Sequence, residues 1–210
     1  TDGELVGLIG VSRDRTKQKM LEIDLQQNRE RLHLVIKATN LGMWEWNIQT
    51  GELVINERSA NIIGYTKKEV SPADIHTWYG TVHLKDKQLS QSLLENHFTG
   101  KSDYYTCELR LRHKDGHWVW VHDKGQVVEW SEDGTPLRMS GTLNDISERK
   151  KIEERLRESE NNFRSFFETV DDMIFVTNME GKIIYSNPAA QKKLGYTSEE
   201  FIKKQVLDLH

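Results

Sequence analysis

The sequence predicts an α+β fold: a five-stranded antiparallel sheet with short helices on one face, flanked by linker helices. Two observations predict it. Over residues 40–147 the hydrophobic pattern runs two strands, a helical stretch, then three strands. The sequence also repeats itself at a spacing of 131 residues. Gly3, Gly10, Asp14 and Leu25 recur as Gly134, Gly141, Asp145 and Leu156; Asn47, Asn56, Gly64, Tyr65, Thr66 and Glu69 recur as Asn178, Asn187, Gly195, Tyr196, Thr197 and Glu200. A period this long marks whole domains in tandem, since solenoid repeats run about 20–50 residues. The expected order is the closing strand of a preceding copy (1–16), a linker helix (17–39), one complete domain (40–147), a second linker helix (148–165) and the front half of the next copy (166–210).

Each element has its own signal. Residues 5–11 are an apolar run after the turn pair Asp2-Gly3, as in the last strand of a hairpin. In the first linker Leu21, Leu25, Asn28, Leu32 and Val35 are spaced 4, 3, 4, 3, and Ile152, Leu156, Ser159, Phe163 and Phe166 repeat that spacing in the second. This is a heptad seam about two heptads long with one polar position per helix, and it predicts a homodimer through the linkers. Thr16 and Ser147 are residue types that cap helix N-termini. Residues 43–48 form a Trp-rich strand, Thr50-Gly51 a turn, and 52–56 a second strand. Between 59 and 100 the period turns helical, broken at Gly64, Ser71-Pro72 and Gly80. The longest helix, about 86–98, carries Leu89, Leu93 and Leu94 on one face and ends at Gly100. Residues 104–113 alternate, with Tyr105, Cys107, Leu109 and Leu111 on one face. Asp115-Gly116 and Asp133-Gly134 turn the chain into strands at 117–126 and 137–144.

Composition narrows the function. A net charge of −4 with 30% charged residues has no bias that would favour nucleic acid or an anionic membrane. The lone cysteine, Cys107, allows no internal disulfide and fits a reducing, cytoplasmic compartment. No run approaches the roughly 18 apolar residues of a membrane span. Gly-rich phosphate loops, Gly-x-Ser-x-Gly and His-Glu-x-x-His are absent, so this segment reads as non-enzymatic.

Several stretches together resemble a PAS domain followed by its PAC segment, of the fold-3-like subtype common in microbial sensor proteins. They are GMWEWNIQTGELVIN from Gly42, NIIGYTKKEV from Asn61, VHLKDK from Val82, ELRLRHKDGHWVWV from Glu108 and GTPLRMSGTLNDISERK from Gly134. Leu84 stands where the family usually has proline. The resemblance implies a sensory input region whose parent is a sensor histidine kinase, with a diguanylate cyclase or phosphodiesterase as the second choice. It implies adjacent PAS and output domains, and an Asp-x-Thr linker signal, here Asp14 with Thr16 and Asp145 with Ser147, as the relay. The alternative is an interaction module that dimerises and senses nothing.

In such a domain a small apolar pocket is the functional candidate. Its expected lining is Trp44, Trp46, Ile55, Ile63, Leu89, Leu93, Tyr105, Cys107, Leu109, Trp120 and Met139, set against the alternative of a filled core of the same composition. Some PAS domains ligate haem through a helix histidine, which singles out His97 and then His76; the plain reading is ordinary surface histidines. Flavin photoreceptors of this fold use a helical cysteine, and none follows Tyr65. No cofactor is required by the sequence, and His113, His117 and His122 lack a structural zinc spacing. In the half copy, Ile174, Val176, Ile183 and Ile184 are expected to lack most of their sheet partners.

Overall fold

The computed structural model describes residues 16–205, without the side chains of 16–18, 32 and 33. Asp14 and the expected strand at 1–16 therefore lie outside the described residues, as do the side chains of Thr16 and Leu32. The chain divides into two units, Thr1–Ile146 and Ser147–His210.

In the first unit, α1 (Thr16–Thr39) leads to the hairpin β1 (Gly42–Asn47) and β2 (Glu52–Ile55). Then come α2 (Glu57–Ile62), the short β3 (Ala73–Asp74), α3 (Ile75–Gly80) and α4 (Leu84–Phe98). The strands β4 (Tyr105–Arg112), β5 (Trp118–Trp130) and β6 (Pro136–Asp145) close the unit. One antiparallel sheet results, in the order β3-β2-β1-β6-β5-β4. The first and last strands of the domain lie side by side, with Trp44 opposite Gly141 and Trp46 opposite Met139. The sheet has six strands where five were expected. The sixth is the two-residue β3, which follows the break at Ser71-Pro72 and pairs with the β2 edge through Leu53 and Ala73. β5 also runs past residue 126, its register shifting near Val127 and Glu129; an extra residue lets a strand bend and continue.

Alternation sets the buried face. Tyr105, Cys107, Leu109 and Leu111 all point inward from β4, and Val119, Val121 and Val127 from β5, with Met139 and Leu143 from β6. The helices dock by specific groups. At the start of α4, His83 caps with Nδ1 accepting from the Lys85 N–H at 3.1 Å. Leu84 follows at the first helical position, where proline is also well accommodated, and its side chain is exposed. Asp86 reaches β4 and grips Arg110 with two side-chain hydrogen bonds, 2.8 Å from Nε and 2.6 Å from Nη2, and accepts the Arg110 backbone N–H at 3.0 Å. The Arg110 guanidinium beside it holds the Asp86 carboxyl below its usual range. After Phe98 the helix ends on Thr99, and Gly100 takes the left-handed φ of 71° that glycine adopts without strain.

The 131-residue repeat is a repeat of hydrogen bonds. Asn56 Oδ1 accepts from the N–H groups of Met43 and Ser59, and its amide donates to Leu41 O. Asn187 does the same with Ile174, Ala190 and Asp172. Each of these partners is displaced by the same 131 positions. Thr66 with Glu69, and Thr197 with Glu200, likewise form identical reciprocal pairs.

The second unit holds α5 (Ser147–Thr169), the hairpin β7 (Phe175–Thr177) and β8 (Ile183–Ser186), α6 (Pro188–Leu194) and α7 (Ser198–Phe201). Among the described residues β7 and β8 pair only with each other, as expected, yet Ile183 is fully buried with Ala190 and Phe201, because α6 and α7 supply the packing. Ile184, on the opposite strand face, is exposed.

Candidate ligand cavity

The inner face of the sheet does not close completely against the helices. A cavity of about 240 Å³ remains between them, below the roughly 300–1,000 Å³ typical of drug-sized ligand sites. β1 contributes Trp44 and Trp46, two residues apart and so on one strand face. Tyr105, Leu109 and Leu111 come from β4, Asp123 from β5, and Met139 and Leu143 from β6. The helical wall includes Trp78 and Tyr79 of α3 and Ser90, Gln91 and Leu94 of α4, with His76 also on the lining.

Two glycines make room for Trp44. Gly125 and Gly141 face each other across β5 and β6, and a Cβ on either would overlap the Trp44 ring. The absence of side chains at this pair lets the indole settle against the sheet, from where Nε1 donates to Asp123 Oδ1 at 2.8 Å. Tyr105 OH and Ser90 Oγ lie 2.9 Å apart on the same wall.

Electrostatically the wall is unusual at two places. By surface area Asp123 is half-buried, being open to the cavity, but the protein packed around its carboxyl removes much of its hydration. That desolvation pushes its pKa up to about 7 against the opposing hydrogen bonds from Trp44 and Tyr105. No Lys, Arg or His among the described residues forms an ion pair with it. The second place is Trp46, whose Nε1 is buried without any hydrogen-bond partner. Buried N–H groups are nearly always paired in folded proteins. Tyr105 and Cys107 are both shifted toward their neutral forms by burial, Cys107 up to about 11.

Of the expected lining, Trp44, Trp46, Tyr105, Leu109 and Met139 reach the cavity. Ile55 and Ile63 are buried core residues away from it, and Cys107 is a core residue on β4. Leu93 packs on that core. Leu89 is exposed, because the inward stripe of α4 is Ser90, Leu93, Leu94 and His97. Trp120 lies on the outer sheet face, 5.0 Å from the Arg110 guanidinium. Among the residues missed are Trp78 and Tyr79 of α3 and the polar side chains Asp123, Ser90 and Gln91 on an apolar wall. The signal that was available was the i, i+3, i+4, i+7 spacing of 90, 93, 94 and 97.

His97 is corrected as a haem candidate. It is 4% exposed; Nε2 accepts the Val127 N–H at 2.9 Å, so the ring proton is on Nδ1 and donates to Ser102 O at 2.9 Å. Neither nitrogen is left for iron. His76 is exposed at the cavity lining. A separate group, His113, Asp115 and His117 at the β4–β5 turn, has ligand atoms within 4.8 Å of one another. His113 Nδ1 already accepts the Asp115 N–H at 3.1 Å, and the two rings stack 4.1 Å apart.

At the linkers, Leu21, Leu25, Ile152 and Leu156 are all exposed, each by about 60%. Asp145 ends β6, opposite Val121, and Ser147 is the first residue of α5, one position inside the cap expected for it. Among the described residues no helix is long and apolar enough to cross a membrane.

A curled antiparallel sheet whose first and last strands pair, with short helices roofing a small cavity, defines a sensor module. Residues 52–143 match one family model described as a PAS fold and residues 161–210 match a second described the same way; the chain belongs to the PAS family. It is 25% identical over 203 residues to the probable diguanylate cyclase DgcE of Escherichia coli, covering 95% of this chain and 18% of that one. It is 22% identical over 177 residues to the sensor protein FixL of Bradyrhizobium diazoefficiens, covering 84% and 34%. A solved sensory box histidine kinase/response regulator from Burkholderia thailandensis superposes with a TM-score of 0.57 at 28% identity, over 64% of this chain and 98% of that one. The chain is thus a PAS sensor module homologous to those of sensor kinases and diguanylate cyclases, and spans about a third or less of these curated relatives.

Proposed function

We propose that residues 40–147 form the sensing domain of a cytoplasmic, multidomain sensor, and that a small molecule in the cavity is its signal. The observation that carries this is the cavity itself, with polar groups of four elements placed on an apolar wall. Binding would shift β1, β5 and β6 together, and β6 leads through Asp145 and Ile146 directly into α5. A relay of this kind requires two packings of similar energy that the ligand favours unequally. A histidine kinase is the parent this reading favours, with a diguanylate cyclase second; the relatives include both.

The exposed seam residues of both linker helices support a homodimer, since apolar stripes at heptad spacing are covered in coiled coils. They also support the second reading, an interaction module without a ligand. Native mass spectrometry of the purified chain separates the two. Sensing predicts a small-molecule adduct, or saturable uptake from a metabolite library, that Leu94→Trp abolishes by filling the cavity. Uptake unchanged by that substitution, or none at all, overturns it. Sedimentation velocity should show a dimer that Leu156→Asp dissociates.

A further inference from the structure

Five aromatic side chains, Trp44, Trp46, Trp78, Tyr79 and Tyr105, share the cavity wall with one carboxyl, Asp123. Aromatic faces attract cations through their quadrupoles, and several rings around a point charge are the usual receptor for an organic ammonium. An acid facing such a cavity needs a countercharge once ionised, and none of the described basic side chains is paired with Asp123. Trp44 holds the carboxyl in place through its 2.8 Å hydrogen bond. We propose that the cavity recognises a small organic cation, a protonated amine on an apolar or aromatic skeleton, with Asp123 as its counterion and the surrounding rings as its cage.

The assignment rests on the sensing reading above and adds the ligand's charge to it. A neutral or anionic ligand would leave Asp123 protonated or repelled, and would gain nothing from the rings beyond their apolar area. The volume of about 240 Å³ suits a metabolite-sized molecule. Cys107 lies opposite Asp123 on β4, and Tyr105 and Tyr79 share its cavity lining; burial shifts all three toward their neutral forms. Asp123, raised to about 7, is the wall carboxyl whose ionisation falls between pH 6 and 8. His76 is also on the lining and is tested separately.

The test is isothermal titration of the whole chain with three probes of one shape: 2-phenoxyethylamine, 2-phenoxyethanol and phenoxyacetate. The amine should bind at least tenfold more tightly than either of the others at pH 8. Its affinity should fall about tenfold from pH 8 to pH 6, the ratio of ionised fractions for an acid titrating near 7. His76→Gln should keep that dependence and Asp123→Asn should lose it. If the alcohol or the acid binds as well as the amine, or the pH dependence is flat or reversed, the cation assignment is overturned while the cavity stands as a ligand site. If no probe binds and no metabolite is taken up, both readings fall.

Discussion

The indole N–H of Trp44 donates to the carboxylate of Asp123 at 2.8 Å, joining residues 79 positions apart. Between their strands runs β6, and the bond passes over it because Gly141 has no side chain to obstruct the indole. One contact thus links the first strand of the domain to its fifth and places an acid on the wall of an apolar cavity.

Asp123 makes stability depend on pH in a direction opposite to most carboxylates. Its folded-state pKa, about 7, lies above the unfolded value near 4, so the folded state binds the extra proton. The stabilising effect of that proton is complete below about pH 4 and is lost as pH rises through 7. Asp123→Asn, which still accepts from Trp44, should therefore gain on the wild type between pH 5 and pH 8. Thermal melts of the two proteins across this range check it; a constant difference in Tm would show that Asp123 does not titrate there.

The glycine pair has no spare volume. Gly125→Ala, whose added Cβ meets Trp44 before any other group, should displace Trp44 and cost about 1–3 kcal/mol by overpacking. Trp44→Ala in the same chain should recover part of that loss, since the clash partner is gone. Denaturant melts of the two single variants and the double variant measure the coupling, and additive effects would refute the contact.

Asp86 and Arg110 tie α4 to β4. Asp86→Ala leaves a half-buried guanidinium without its partner and should cost about 2 kcal/mol. Arg110→Lys should recover only part of the wild-type stability, because an ammonium cannot make the paired contact. As the Asp86 pKa is lowered, its contribution is present at neutral pH and is lost as pH falls below the ordinary carboxylate range. Urea melts at pH 7 and pH 3 test both the size and the sign.

His97 bridges α4, the loop after it and β5. His97→Leu leaves the Val127 N–H and the Ser102 carbonyl without this partner, and should cost about 1–3 kcal/mol for each group that stays dry. Added haem should give the wild type no histidine-ligated Soret band. A band that disappears in His97→Leu would show that the ring leaves its two hydrogen bonds to ligate iron.

Asn56 and Asn187 should behave alike. Each serves as a cap and also ties the preceding strand, so Ala at either position should cost about 1–2 kcal/mol. Asn56→Ala should act on residues 16–146 and Asn187→Ala on residues 147–205. Hydrogen exchange resolved by segment reads this directly; loss of protection in the wrong unit would contradict it.

Much of this was legible in the sequence wherever one residue type has one local use. The turn glycines and the strict alternation of 105–111 are such cases, as is the repeat, whose Asn and Thr positions turn out to be caps. The cavity was harder. In β5, Trp118 and Trp120 alternate with Val119 and Val121, and hydrophobicity alone puts the larger rings inside. The register with β4 and β6 instead turned the valines and Asp123 inward, while Arg110 and Arg112 stack on the tryptophans outside. In α4 the leucines at 89, 93 and 94 suggested one face, but the buried arc is shifted by one residue toward Ser90, since Asp86 and His97 fix the helix's rotation through their bonds to β4 and β5.

The sequence by itself determined the fold class and the 131-residue repeat, because these depend on periodicity and on spacing along the chain. Only the tertiary structure decided that a void remains, that an acid lines it, and that His97 has no nitrogen left for a metal. Those outcomes depend on which side chains from distant strands arrive at the same place, and no local pattern records that.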